Sequence, residues 1–166
     1  ILLGGLLFSA HAKEAPPTFP DVSYGTHERN VLDFWQAEGD GPRPLLVYIH
    51  GGSWLSNGKE QILGRIPIKD YLSKGISVAS ISYRYSTIDP LPAPVHDAAR
   101  AIQFLKSKAC EWNINKDRIA LQGTSAGGCS CMWILLHDDL KDPTSPDPVL
   151  RESSRVCAAA THAGQT

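Results

Sequence analysis

The sequence is poor in net charge, in methionine, in cysteine and in long apolar runs, and each shortage excludes something. Lysine and arginine number 16 against 17 aspartate and glutamate, for a net charge of −1. A chain so balanced has no basic field with which to gather nucleic acid. No run reaches the ~18 apolar residues that a membrane span needs. Charged residues make up 20% and hydrophobic residues 42%, the composition of a chain that buries a core rather than one that stays disordered. At 166 residues it has the length of one domain. The four cysteines, Cys110, Cys129, Cys131 and Cys157, show neither CxxC nor zinc spacing. Each sits in an apolar stretch, so thiols within the core are the default reading. A Cys129–Cys157 bridge is the alternative, and spacing alone does not test it. The phosphate-cradling patterns GxGxxG and GxxxxGK[ST] are also absent, and no acidic residue ends a strand ~20 residues beyond Gly123–Gly128, which argues against a nucleotide site.

The single methionine is Met132, and the chain opens on the apolar run Ile1–Phe8 followed by small residues at Ala10 and Ala12. That pattern reads as the back half of a secretory signal peptide, with a buried first strand as the alternative. The expectation is export, with residues 1–12 removed and 13–20, which hold three prolines, as a flexible lead-in.

Four nearly continuous apolar runs stand out: Leu45–Ile49, Ile76–Ile81, Arg118–Leu121 and Arg155–Ala160. Such runs predict strands covered on both faces. Helices are predicted between them, over 66–74 ending at Gly75, over 94–109, and from Gly127 to about Leu140. Two weaker strands are predicted upstream, over 21–24 and 30–35, and a polar, proline-bearing loop over 137–154. Alternating strands and helices predict an α/β fold with a mostly parallel sheet and helices on both faces.

The sharpest motif is Gly123-Thr124-Ser125-Ala126-Gly127. GxSxG alone is a weak signal, but here it follows a predicted buried strand and opens a helix, the setting of a nucleophile on a strained turn. Bulk beside such a turn is excluded, and glycines at 123 and 127 meet that need. The second motif, His50-Gly51-Gly52-Ser53-Trp54, follows the first strong strand. A glycine-rich turn there can aim backbone N–H groups at a developing oxyanion. The predicted oxyanion hole takes in Gly51, Gly52, Ser53 and Ala126, with Gly51 chiefly shaping the turn. His50 is expected to order the turn rather than act as a base. Trp54 is expected either to wall the acyl pocket or to pack in the core. Asp138, Asp139, Asp142 and Asp147 lack calcium-loop spacing and read as a solvated acidic loop. Asp97 reads as the acidic partner of a helix N-terminus.

With these motifs stand Ser82–Ser86, Pro92–Asp97 and Asp117–Gly128. Over about residues 21–166 the chain resembles the N-terminal half to two-thirds of an α/β-hydrolase of the HGGxW-bearing type: carboxylesterases, acetyl-xylan and feruloyl esterase-like enzymes, and kynurenine formamidases. The formamidases, being cytosolic, fit expected export less well. The resemblance implies a serine esterase with Ser125 as nucleophile, no metal or organic cofactor, and a small-molecule or polysaccharide-linked ester as its substrate. It also implies that Tyr83, Arg84 and Tyr85 buttress the oxyanion turn, with surface packing as the alternative. One departure is plain. The family's order is Ser, then an acid, then His. After Ser125 only His137 and His162 remain, one expected on the helix behind the elbow, the other at a strand end with no acid before it. The expectation is that acid and base, and the last strands of the sheet, lie beyond Thr166. A chain ending there should be inactive, with an exposed sheet edge. A non-catalytic binding protein of the same fold is the competing reading.

Overall fold

The computed structural model describes residues 14–164, and the expected signal peptide lies outside the described residues. Six strands form one sheet: β1 (Phe19–Ser23), β2 (Val31–Trp35), β3 (Arg43–Ile49), β4 (Ser77–Ile81), β5 (Ile114–Thr124) and β6 (Ala158–His162), in the order β1-β2-β4-β3-β5-β6. β1, β2 and β4 pair antiparallel, while β3 pairs parallel with β4 and β5, and β5 with β6. The Leu45–Ile49 run of β3 has no polar face because both its sides are covered. Leu45, Val47 and Ile49 point into the larger core under α2 (Ala93–Ser107) and α3 (Ala126–Leu136). Leu46 and Tyr48 point the other way, into a smaller core under α1 (Ile68–Ser73) and a 3-10 turn at Lys59–Ile62. The predicted helices on both faces are present. The expected helical period places Val95, Ala98, Ala99, Ile102 and Leu105 of α2 in the buried set.

The structure corrects the sequence reading at several points. The lead-in before residue 20 is tied down rather than loose. The Trp35 indole N–H donates to the Ala15 carbonyl at 2.8 Å, the Gln36 N–H to Thr18 Oγ1 at 3.0 Å, and Phe19 already opens β1, stacked on Trp112 at 4.9 Å. β6 starts three residues later than its apolar run, at Ala158. The Lys106 ammonium holds the Arg155 carbonyl at 2.6 Å, and the ladder to β5 opens only with the Cys157 N–H on Ile119. β6 is also mostly exposed, where a continuous apolar run predicts burial, because it is the outermost strand among the described residues. α3 ends at Leu136, short of Leu140; His137 turns extended and stacks on Trp133 at 4.0 Å. The acidic loop does more than face solvent. Asp139 accepts from Ser153 and Ser154, Asp142 from Thr144, and Asp147 pairs with Arg100 at 2.7 Å. No disulfide forms among the described residues, and of the four cysteines only Cys131 is fully buried.

Candidate active site

β5 runs directly into α3 through Ser125, whose backbone sits at φ 53°, ψ −122°. A left-handed conformation is costly for a residue with a Cβ. What holds it is close backbone packing. A Cβ on Gly127 would lie 2.0 Å from the Ile49 carbonyl oxygen and 2.5 Å from that of His50. One on Gly123 would lie 2.5 Å from the Gly127 carbonyl. The crowding read from GxSxG is therefore real, and it presses the elbow onto the end of β3. The Ser125 N–H donates to the His162 carbonyl at 2.9 Å, and the Ser125 side chain makes no capping bond to α3. Its hydroxyl is thus not used up by the helix it precedes, and the positive end of the α3 dipole stands beside it.

The second motif arrives at the same edge of the sheet. A Cβ on Gly51 would lie 2.7 Å from the Thr124 carbonyl oxygen and 3.4 Å from the Ser125 Cβ. Gly52, Ser53 and Trp54 all have positive φ, 112°, 54° and 56°, so the chain curls sharply past the elbow. The Gly51 N–H is already bound to Gln61 Oε1 at 2.8 Å. Gly51 therefore has no N–H left for an oxyanion, and its place in the predicted hole is the turn-shaping one expected of it. No bond within the described residues engages the N–H groups of Gly52, Ser53 or Ala126, the three remaining candidates. His50 is fully buried. Its Nδ1 meets the Gly51 carbonyl at 2.7 Å, which fixes the proton on Nδ1, and its Nε2 is buried without a partner among the described residues. Burial lowers its pKa from 6.5 to about 4. It is a neutral ordering group, not an accessible base.

Side chains far away in sequence hold this turn. Tyr83 stacks on the His50 ring at 4.1 Å and donates its hydroxyl to the His50 carbonyl at 2.9 Å. Burial raises the Tyr83 pKa, so it stays a donor. Tyr85 and Arg29 both donate to the Asn57 carbonyl, at 2.7 and 2.6 Å, with the Arg29 guanidinium 3.7 Å over the Tyr85 ring. Arg84 instead faces away, in a two-pronged pair with buried Asp97 at 2.8 Å on each prong. Asp97 is thus an ion-pair partner, not a helix-dipole group. Arg29, Asn57 and Gln61 carried no motif. Asn57 at φ 72° is the one place where a turn-prone residue type gave a local hint.

Other predicted residues do not converge on Ser125. His162 meets it through the backbone only, His137 lies at the far end of α3, and His96 is exposed beside Trp133. Among the described residues no group of three or more His, Cys, Asp or Glu could hold a metal ion, and no helix is long and apolar enough to cross a membrane. The Trp54 indole N–H donates to Ser130 at 3.1 Å, and Trp54 lines a cleft of about 260 Å³ with Leu91, Pro92, Val95, Cys129 and Trp133. Cys129 stands one turn after Ser125, with its N–H on the Ser125 carbonyl. A larger apolar cleft of about 450 Å³, beside Trp35 and Ile62, lies on the opposite face of the sheet and is lined by no residue of either motif.

The family model described as BD-FAE matches residues 32–145. The chain is similar to the probable carboxylic ester hydrolase LipM of Mycobacterium tuberculosis, 34% identical over 114 residues, which is 65% of this chain and 26% of that protein. It is similar also to a probable isoprenylcysteine alpha-carbonyl methylesterase of Arabidopsis thaliana, 29% identical over 138 residues, 82% of this chain and 29% of that protein. Among solved structures, the acetyl ester-xyloside bifunctional hydrolase from Caldicellulosiruptor lactoaceticus superposes with a TM-score of 0.71 at 27% identity, covering 79% of this chain and 47% of that one. The chain thus spans under a third of the length of these curated relatives and about half of that solved structure.

Proposed function

The chain belongs to the BD-FAE family and has the α/β-hydrolase fold, and on that footing we propose that it carries the nucleophile and oxyanion hole of a serine carboxylic ester hydrolase. One observation bears most of the weight. The backbone of Gly51 lies against the strained Ser125 elbow, so two motifs whose first residues, His50 and Gly123, stand 73 positions apart in the chain meet where an ester carbonyl would have to sit.

Ser125 Oγ attacks the carbonyl carbon. The N–H groups of Gly52, Ser53 and Ala126 receive the oxyanion, its collapse expels the alcohol, which carries off the proton taken from the serine, and water later releases the acyl group from the serine as the carboxylic acid. The proton acceptor is sought outside residues 14–164, since no described histidine ring is placed on Ser125. Trp54 and the apolar cleft beside it receive the acyl group. For substrate class we favour acetyl or feruloyl-type esters, including those on polysaccharide. The relative named for an acetyl ester-xyloside supports the first, and the indole-lined cleft suits the second. Export, expected from the opening run, would bring the enzyme to such esters.

The test is fluorophosphonate labelling of the native full-length protein, alongside hydrolysis of p-nitrophenyl acetate. Wild type should label and turn over. Ser125→Ala should do neither, with kcat down by at least ~10⁴. A wild type that neither labels nor hydrolyses any ester would leave a binding protein built on the same fold.

A further inference from the structure

The oxyanion turn is a run of two glycines, the place where a backbone is softest, yet both peptide planes around Gly51 are pinned. In the first plane the His50 carbonyl accepts from the Tyr83 hydroxyl at 2.9 Å and the Gly51 N–H donates to Gln61 Oε1 at 2.8 Å. In the second the Gly51 carbonyl accepts from His50 Nδ1 at 2.7 Å and from Asn57 Nδ2 at 3.4 Å. A peptide unit is rigid, so fixing its carbonyl fixes the N–H at its other end. That N–H belongs to Gly52, a candidate oxyanion donor. The orientation of the Gln61 amide follows from its partners. A backbone N–H can only donate, so the amide oxygen faces Gly51, and the same oxygen accepts from the Tyr48 hydroxyl at 3.2 Å.

Gln61 is itself held in place. It stands on the 3-10 turn Lys59–Ile62, two residues after Lys59. The Lys59 N–H donates to Ser82 Oγ at 2.9 Å, and its carbonyl accepts from Ser80 Oγ at 2.6 Å. The buried Lys59 ammonium lies 2.8 Å from the Asp33 carboxylate and 2.9 Å from that of Asp21. Burial alone would lower the Lys59 pKa, but the two carboxylates outweigh it and leave it raised. The turn that presents Gln61 is therefore locked to β1, β2 and β4.

We propose that Gln61 is a positioning residue of the esterase site: its amide oxygen fixes the His50–Gly51 peptide and so keeps the Gly52 N–H aimed at the oxyanion. It does not touch the substrate, and the inference rests on the esterase reading of Ser125. Simple packing of the 3-10 turn on Tyr48 would need only the bulk of the side chain. Positioning needs the acceptor oxygen.

Two variants of the native full-length protein separate these roles. Gln61→Met keeps the bulk and removes the acceptor; Gln61→Glu keeps an acceptor. Gln61→Met should lower kcat for p-nitrophenyl acetate about tenfold or more, less than the ~10²–10³ lost with an oxyanion donor itself, while KM stays within about twofold. Gln61→Glu should stay within about threefold of wild type in kcat. Wild-type kcat in Gln61→Met, or equal losses in both variants, overturns the proposal. Amide hydrogen exchange followed by NMR gives a readout independent of turnover. In wild type the Gly51 amide should exchange more slowly than those of Gly52 and Ser53, and Gln61→Glu should keep that protection. Equal exchange at the three amides overturns the clamp even if Gln61→Met fails to fold. A protein that turns over no ester and leaves Ser125 unlabelled overturns the esterase reading instead, while Gly51 exchange still decides the clamp.

Discussion

Two turns meet at the C-terminal edge of the sheet, and they are held by opposite means. The Ser125 turn is fixed by what is missing. Gly123 and Gly127 have no side chains, so β5, α3 and the end of β3 come into backbone contact, and Ser125 is squeezed into a left-handed conformation. The His50–Trp54 turn is fixed by what is added. Gln61, Tyr83, Asn57, Tyr85 and Arg29 reach it from the following turn, the exit of β4 and the approach to β2. Packing against backbone is stiff, local and indifferent to pH. A cage of side-chain hydrogen bonds is assembled from a distance, and it can be loosened one bond at a time.

That contrast can be broken most sharply at Gly127. Its added Cβ would fall 2.0 Å from one carbonyl oxygen and 2.5 Å from another, and no flexible side chain is there to yield. Gly127→Ala should cost more than about 3 kcal/mol, the upper end for overpacking, or abolish folding. Urea denaturation of the full-length protein checks this. A loss under about 1 kcal/mol would mean that the elbow has slack.

A change of pH should act on the other turn alone. Burial, opposed by the Gly51 carbonyl and less by Glu60, and aided by Arg29, lowers the His50 pKa from 6.5 to about 4. A buried neutral imidazole binds fewer protons in the folded state than in the unfolded one. Its contribution is whole above pH 6.5 and is lost as pH falls from there towards about 4. The loss should be on the order of 3 kcal/mol, at about 1.4 kcal/mol per pKa unit. Hydrogen exchange across that window should loosen peptides covering 50–61 before those covering 123–131. If both loosen together, the two turns are one cooperative unit rather than two devices.

The smallest effect is expected at Tyr85→Phe. It removes one of the two donors on the Asn57 carbonyl, while Arg29 keeps the other. The cost should be about 1 kcal/mol or less, that of one exposed hydrogen bond, with kcat changed less than in Gln61→Met. A loss of activity exceeding that of Gln61→Met would shift the weight of the clamp from Gly51 to Asn57.

The same contrast explains what the sequence made legible. The elbow is local: strand, turn and helix are contiguous, and steric exclusion writes itself as glycines at fixed offsets around Ser125. The central strands were legible for a similar reason, since burial on both faces leaves unbroken apolar runs such as Leu45–Ile49. The donor candidates Gly52, Ser53 and Ala126 were legible from the two motifs, but what pins Gly51 was not, because the Gln61 amide that takes its N–H stands on a 3-10 turn with no apolar period to announce it. β6 was misjudged because composition reports a strand's apolarity and not whether a neighbour covers it. Asp97 was misread as a helix-dipole group because its partner, Arg84, lies 13 residues upstream on another element.

By itself, then, the sequence determined the sheet's core strands, the helices between them, and the two glycine-bearing turns with Ser125 on one of them. These follow from period and steric size, which act over a few residues. Only the tertiary structure decided that the two turns touch, that the Gly51 N–H is taken by Gln61, and that His50 is a buried, neutral brace. Those outcomes depend on hydrogen bonds whose partners come together only when the sheet assembles, and a donor or acceptor carries no mark in sequence of the distant group that will satisfy it.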